Sequence, residues 1–375
     1  MRSSNIRRTF PFLAILLAII LIAGCTARGE KPTIQKKPPD SAKFAGYRNV
    51  AWATDGKRIY TAEIYGNGPK SWNSRIYSEK PNLSGKKFLA RGIKTWGINL
   101  VAVSPKGNYL MFTRVVEQQQ SGFAAPSKLD LVIVEVKTGK IVSTIPDAAP
   151  GGWKSDNIAW YEAHNNNYVV VKTVKVDSSA NTELIRGAGI GGLVWSDDGR
   201  YFVYKVSNMD TTVGDSLLVL DTKTNTSSSL VESSGGYFIT AVLNGNNVYY
   251  VNEKQGLSSL NISVIDISTK TKRGLWSVER PSLWIDEFLH DMSHTVSIRK
   301  LYLDHAKKNL IFYFDEREPQ AIVYRLPIIG QGTANRIAIL QANSGMGDNP
   351  FDYCAANNRI VWIEQNRIIK TKKLD

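Results

Sequence analysis

The sequence predicts an all-β protein, a β-propeller of seven blades with four antiparallel strands each. Three observations predict it. A local pattern recurs at a spacing of about 50 residues, the size of one propeller blade with a loop. The pattern is a short apolar strand, a polar turn with Asp, Asn or Gly, and a second strand rich in Tyr, Phe and β-branched residues, which suit pleated surfaces. After the first 25 residues no stretch has helical periodicity, apart from Leu283 to Met292, a candidate for a turn or two of helix. The chain has 375 residues, 43% of them apolar, so it can bury a large core and is not disordered. Two cysteines exclude a disulfide scaffold and any multi-Cys zinc module, and four histidines leave little for a His-based metal site.

The N-terminus comes first. Arg2, Arg7 and Arg8 form a basic region, and Phe10 to Gly24 is an uncharged, mostly apolar run. The run is shorter than the roughly 20 residues a spanning helix needs, and fits the apolar segment of an export signal. It ends in Leu21-Ile22-Ala23-Gly24-Cys25. Small residues directly before a cysteine resemble the lipobox of bacterial lipoproteins, with Ile22 a mild departure. The resemblance implies lipid on Cys25 and cleavage before it. Residues 1–24 are then a signal peptide, and the mature chain keeps about +11 of the formal +14. Two or more acyl chains anchor a protein stably where one does not. Residues 25–46, with Lys31, Lys36, Lys37, Pro32, Pro38 and Pro39, read as a flexible tether to the membrane.

The repeat fills residues 47–375. Its first copy runs from Val50-Ala51-Trp52-Ala53 through Asp55-Gly56 to Arg58-Ile59-Tyr60. Val101-Ala102-Val103 and Leu193-Val194-Trp195 open two more, with turns at Ser104-Pro105-Lys106-Gly107-Asn108 and Ser196-Asp197-Asp198-Gly199-Arg200. Ile158-Ala159-Trp160 is read as the first strand of the third copy, followed by His164-Asn165-Asn166-Asn167. Strands ending near Leu243, Leu303 and Cys354 open the rest. Asp-Gly and Asn-rich turns supply the positive φ that tight hairpins need. The second half of a blade shows in Leu131–Val134, Leu217–Leu220 and Ile262–Ile265, each followed by a polar turn and another strand. The pattern resembles the TolB-like and WD-repeat-like propeller families. The third interval is the shortest and leaves little room for a fourth strand; six blades result if that copy merges with a neighbour. The last copy has room for three strands, so part of residues 40–48 is expected to supply its outer strand.

Catalytic motifs are missing. Gly187-Ala188-Gly189-Ile190-Gly191-Gly192, with Asp210 beyond it, matches a dinucleotide fingerprint, but a propeller strand follows where a helix is required, so an interblade turn is expected. There is no nucleophile elbow, Walker loop or H-E-x-x-H. His290 and His294, near Asp286 and Asp291, lack a third metal ligand, and Asp315, Glu316 and Glu318 read as a solvated acidic turn. Cys354 is expected to be buried and unreactive. The basic residues are scattered rather than clustered with aromatics, which argues against nucleic acid.

Loops joining second to third strands, and blade to blade, share one face of a propeller. On that face the reading collects Tyr65, Trp72, Phe123, Trp153, Trp284 and Phe288, candidate contacts because aromatic rings bury much area at low entropic cost. The sequence therefore points to a monomeric lipoprotein outside the cytoplasm. Its propeller would bind an envelope protein or polymer without catalysis, cofactor or metal. The alternatives are a surface enzyme acting on glycan or peptide in the central cleft, and a ligand sensor.

Overall fold

The computed structural model describes residues 43–374, apart from 67–72, 92–97, 118–127, 166, 179, 208–213, 233–235, 255–258, 280–297, 299, 318–319, 330–332, 342–350 and 366. Cys25, the signal segment, residues 1–42 and the candidate helix at Leu283 lie outside them, as do His290, His294, Asp286, Asp291, Asp210 and Glu318.

Seven antiparallel sheets follow one another along the chain. Blade 1 holds β1 (Phe44–Trp52), β2 (Ile59–Tyr65), β3 (Asn73–Glu79) and β4 (Lys87–Arg91). Blade 2 holds β5 (Ile98–Val103), β6 (Tyr109–Glu117), β7 (Lys128–Glu135) and β8 (Ile141–Ile145). Blade 3 holds β9 (Ala148–Ser155), β10 (Ile158–Asn165), β11 (Tyr168–Lys175) and β12 (Asn181–Gly187). Blade 4 holds β13 (Ile190–Trp195), β14 (Tyr201–Val206), β15 (Ser216–Asp221) and β16 (Thr226–Val231). Blade 5 holds β17 (Gly236–Asn244), β18 (Asn247–Lys254), β19 (Ser259–Asp266) and β20 (Lys272–Glu279). Blade 6 holds β21 (Leu301–Leu303), β22 (Asn309–Arg317), β23 (Gln320–Pro327) and β24 (Asn335–Gln341). Blade 7 holds β25 (Phe351–Cys354), β26 (Arg359–Glu364) and β27 (Ile368–Lys373). The chain is a seven-bladed β-propeller, and no helix occurs among the described residues.

The hairpin between the first two strands of a blade is repeated in detail. Gly56 N–H donates to Ala53 O at 2.9 Å and Gly199 N–H to Ser196 O at 2.8 Å, with φ of 68° at both glycines. Lys307 takes the same left-handed place in blade 6 at φ 54°. These turns pin the register that sends alternate residues to the two faces of each blade. Each face then meets the next blade. Tyr60, Ala62 and Ile76 of blade 1 pack on Leu110, Phe112 and Val132 of blade 2. Val203, Leu217 and Val219 of blade 4 meet Phe238, Tyr250 and Ile265 of blade 5.

Four details correct the sequence reading. Trp160 belongs to β10, a second strand; the first strand of blade 3 is β9. Its stretch Gly151-Gly152 reads as loop, yet the glycines are required by packing: a Cβ on Gly151 would lie 2.1 Å from the Trp160 carbonyl oxygen. With the strand moved, blade 3 has room for its fourth strand, β12, and the short third interval disappears. Residues 44–48 do not complete blade 7, because β1 pairs with β2 as the innermost strand of blade 1, and blade 7 has three described strands. Asp315 and Glu316 lie in β22 rather than in a turn. The other expectations at these elements agree: Gly189, at φ 66°, turns the chain between β12 and β13, and Cys354 is buried in β25.

Blades 7 and 1 thus meet without sharing a sheet. Val50, Trp52 and Ile59 pack against Cys354, Val361, Ile363 and Ile369. The Asn357 side-chain amide donates to Gly56 O at 3.0 Å. A Cβ on Gly56 would lie 2.4 Å from Asn357 Nδ2 and 3.1 Å from Cys354 Sγ. Gly245, also left-handed, would carry its Cβ into open space. Gly245→Ala should therefore cost about 1–2 kcal/mol, the left-handed backbone penalty alone. Gly56→Ala should cost about 1–3 kcal/mol more, because it also overpacks the seam. Urea unfolding of both variants measures the difference.

Candidate functional site

The inner strands leave a cavity of about 320 Å³ on the side of blades 1, 2, 6 and 7. Its walls include small apolar side chains: Ala51, Ala53, Ala102, Val103 and Ala355. Thr54, Lys300 and Asp352 are the polar contributors. Asp352 sits in β25 between Phe351 and Tyr353, and β25 lies beside β1. Its two oxygens are committed to different blades. The Trp52 backbone N–H donates to Oδ2 at 2.7 Å, and the Tyr302 hydroxyl donates to Oδ1 at 2.9 Å. One carboxylate therefore ties blades 6, 7 and 1 together.

Burial lifts the Asp352 carboxyl above the usual carboxylate range; the Lys300 ammonium and the two donors work against that rise. Burial, and then the Asp352 charge, also push Tyr302 well above an ordinary phenol, so its hydroxyl stays a donor. Burial raises the Cys354 thiol too, and its Sγ lies 3.8 Å from Ala53 O, so it packs as a small apolar group rather than acting as a nucleophile.

Two other carboxylates act across blades in the same way. Glu162 Oε1 accepts the Gly192 N–H at 2.7 Å, joining blade 3 to blade 4. Asp215 Oδ2 accepts the Phe238 N–H and the Lys205 ammonium, both at 3.2 Å. Gly192 and Phe238 each stand at a β-bulge of an innermost strand, where ladder pairing is interrupted. Asp156 joins blade 3 to the blade 2 turn, accepting from Ser104 Oγ at 2.6 Å, Lys106 N–H at 3.0 Å and Asn108 Nδ2 at 2.6 Å. Burial would raise its carboxyl, but these donors hold it below the usual range.

The aromatic residues read from the sequence fare differently. Trp72, Phe123, Trp284 and Phe288 lie outside the described residues. Trp153 is not in a loop. It sits in β9, stacks on Tyr109 at 6.2 Å, and its indole N–H donates to Ala102 O at 3.3 Å, so it packs blade 3 on blade 2. Tyr65 ends β2 at the loop end of blade 1. Its hydroxyl donates to Glu63 Oε2 at 2.6 Å, and the Arg75 guanidinium covers its ring at 4.0 Å. Lys86 Nζ reaches Glu63 Oε1 at 2.6 Å, and the Glu63 side chain is fully buried. Phe44, 37% exposed, packs edge-on against the Tyr65 ring at 5.7 Å.

The sequence reading missed Asp352. The available signal was an acid between two aromatics within a strand, a position where Asp is disfavoured. Glu162, directly after Trp160-Tyr161 within β10, carries a related signal. Among the described residues, no group of three or more His, Cys, Asp or Glu is placed to hold a metal ion.

No protein-family model and no curated protein matches the chain. Many solved structures share its fold. An oligogalacturonate lyase, solved with manganese, is similar at a TM-score of 0.59 and 14% identity, over 93% of this chain and 99% of its own. The β-propeller domain of the Trilobed protease from Pyrococcus furiosus, described as having an open velcro topology, is similar at 0.58 and 13%, over 89% and 94%. A prolyl endopeptidase is similar at 0.53 and 13%, over 86% of this chain, which spans 46% of the length of that enzyme. At such identities the likeness shows the fold alone.

Ionised Asp352 is disfavoured in the folded state, so its contribution to stability is full below the unfolded carboxyl value near 3.8 and is lost as pH rises through the higher folded value. Asp352→Asn abolishes that titration. The variant's melting temperature relative to the unaltered chain should rise from pH 4 upward across the carboxyl titration. Thermal melts at stepped pH measure it.

Proposed function

We propose that this chain is a lipid-anchored protein facing outside the cytoplasm, and that its propeller binds an envelope protein or polymer without chemistry. Cys25 is the anchor; of residues 25–46 read as the tether, 44–46 belong to β1, so the tether ends before Phe44. The observation that supports a binder is the axial cavity. Its wall is largely small and apolar, and the carboxylate inside it already serves Trp52 and Tyr302. A catalytic carboxylate needs a free oxygen toward a substrate. The loop end of the disc, where Tyr65 and Phe44 lie beside the β2–β3 connection, is the proposed contact face.

A surface enzyme is the second reading. Its supporting observation is that Asp352 holds its proton above the usual carboxylate range in a cavity, as general acids do. The fold is shared with peptidases and a lyase, so the architecture is compatible with both readings.

Cross-linking in cells, followed by mass spectrometry, separates them. The full chain should be recovered from membranes with one recurrent envelope component. Cys25→Ser should move it out of the membrane fraction, and Trp72→Ala with Trp284→Ala should lower cross-link yield at least fivefold. Undiminished cross-linking by that pair would overturn the assigned face. Asp352→Asn should leave the cross-linked partner unchanged; loss of a measurable turnover in that variant would favour the enzyme.

A further inference from the structure

The two ends of the disc are charged differently, and turn chemistry is the cause. The turns between first and second strands gather on one face: Thr54 Oγ1 donates to Ser104 O at 2.9 Å, Asn244 Nδ2 to Lys307 O at 3.3 Å and Asn357 Nδ2 to Gly56 O at 3.0 Å. The turns between third and fourth strands share that face, and in blade 6 the Ile328 N–H donates to Lys308 O at 3.0 Å. Acids here bend inward to satisfy the turn backbone. Asp55 accepts the Lys57 N–H at 2.9 Å, Asp221 the Lys223 N–H at 2.9 Å and Asp304 the Lys308 N–H at 2.8 Å. Asp198 accepts the Arg200 N–H at 3.0 Å. Each of these four donors belongs to a basic residue that is exposed.

Ion pairs on this face join Lys57 to Asp55, Arg200 to Asp221 and Lys307 to Asp197. Lys80, Lys137, Lys223 and Lys308 are exposed outside such pairs among the described residues. At the loop end, by contrast, Asp130 neutralises Arg114 at 3.0 Å, Glu183 neutralises Arg186 at 2.7 Å and Asp215 neutralises Lys205 at 3.2 Å. Two aliphatic side chains project from the turn face. Leu83, 39% exposed, tips the β3–β4 turn at φ 62°, and Ile329, 80% exposed, follows β23. That left-handed backbone suits Gly or Asn, and the second turns of blades 2 and 4 use Gly139 and Asn225 there. The Leu83 N–H donates to Lys80 O at 2.8 Å, and Ile328, next to Ile329, bonds Lys308 O, so each aliphatic tip has an exposed lysine beside it. The two tips flank blade 7. Its β27 ends on the same face with Lys372 and Lys373 exposed, where the Leu374 N–H donates to Asn358 O of the β25–β26 turn at 2.8 Å.

We propose that the turn face, in the sector of blades 6, 7 and 1, lies on an anionic lipid surface with Leu83 and Ile329 among the headgroups. Lipid phosphates would meet the ammonium groups while the aliphatic tips leave water. Nucleic acid fits less well, because the exposed aromatics Phe44 and Tyr237 stand at the loop end and offer these lysines no stacking platform. The inference rests on the lipid-anchored reading and uses the face opposite the proposed contact face, which it leaves pointing away from the membrane. The 18 residues between Cys25 and Phe44 reach at most about 60 Å. The nine residues of β1 rise about 30 Å, so a tether entering at the loop end is long enough to pass the disc to a membrane under the turns.

Fluorescence of the full chain on vesicles tests it. Leu83→Cys and Ile329→Cys, with Tyr237→Cys at the loop end as control, each take an NBD label, and buried Cys354 stays unlabelled. Vesicles of phosphatidylcholine alone should hold the chain by its anchor and leave all three labels at aqueous emission. With one part phosphatidylglycerol to three parts phosphatidylcholine, the labels at 83 and 329 should shift to the blue and the label at 237 should not. Raised salt should reverse the shift. Lys80→Gln, Lys308→Gln and Lys372→Gln together should abolish it with the melting temperature unchanged, because each lysine near the surface is worth about fivefold in partition. Aqueous emission at both turn labels on the anionic vesicles, an equal shift at 237, or the same shift with soluble polyuridylic acid would each overturn the docking. A chain that fails to float with the neutral vesicles overturns the anchor instead, and the labels on anionic vesicles still decide the docking.

Discussion

A ring of seven wedges has seven seams, and the chain itself crosses six of them. The seventh, between blades 7 and 1, has no covalent link, so weak interactions alone must close the circle. Asp352 is the centre of that closure. It accepts the Trp52 N–H from blade 1 and the Tyr302 hydroxyl from blade 6 while belonging to blade 7. Val50, Trp52 and Ile59 add apolar burial against Val361, Ile363 and Ile369, each residue contributing about 1.5–3 kcal/mol when fully buried. Many propellers close by weaving one terminus into the sheet of the other. Here β1 and β27 stay in separate sheets, so the seam depends on side-chain packing and on hydrogen bonds that bring together residues 300 positions apart.

The same device recurs where the chain already provides a link. Glu162 and Asp215 each accept a backbone N–H from the first strand of the following blade. Both donors stand at bulges, which interrupt the ladder within the sheet. Apolar wedges alone could slide along one another, whereas a carboxylate on one particular N–H fixes the height of each blade relative to the next. The cost falls unequally. Asp156 gathers three donors at the surface and gains from ionising; Asp352, half-buried among the inner strands, loses from it. The closing seam therefore carries the more expensive pin.

Blade number and most strands were legible because the turns are chemically loud: Asp55-Gly56 and Asp198-Gly199 mark left-handed positions that few residues accept. Blade 3 was misplaced by one strand for a physical reason. Trp160 fills the space above β9, and only glycine at 151 and 152 lets β9 run beneath it. A strand made of Ala-Ala-Pro-Gly-Gly has no strand-like composition, so its identity exists only in the packing. Residues 44–48 were misassigned because an open end in the last blade suggested a borrowed strand, and nothing local to Phe44-Ala45-Gly46 says which edge it joins. Cys354 was legible, being a small residue in an apolar strand. Asp352 was not, because its meaning comes from Trp52 and Tyr302, which no spacing rule connects to it. Trp153 reads as a spare aromatic until Tyr109 and the Ala102 carbonyl are seen beside it.

Radial geometry explains why polar space collects where it does. Wedges that touch at their inner strands diverge outward, so each outer seam must be filled by larger side chains or left open. Blade 6 meets blade 5 with Trp276, Phe312 and Tyr324, rings large enough to span the gap. Blade 4 offers exposed Ser228 on the face of β16 toward blade 5, and blade 5 answers with Ser263 and Gly274. Small residues on both sides of a widening seam make a groove by default.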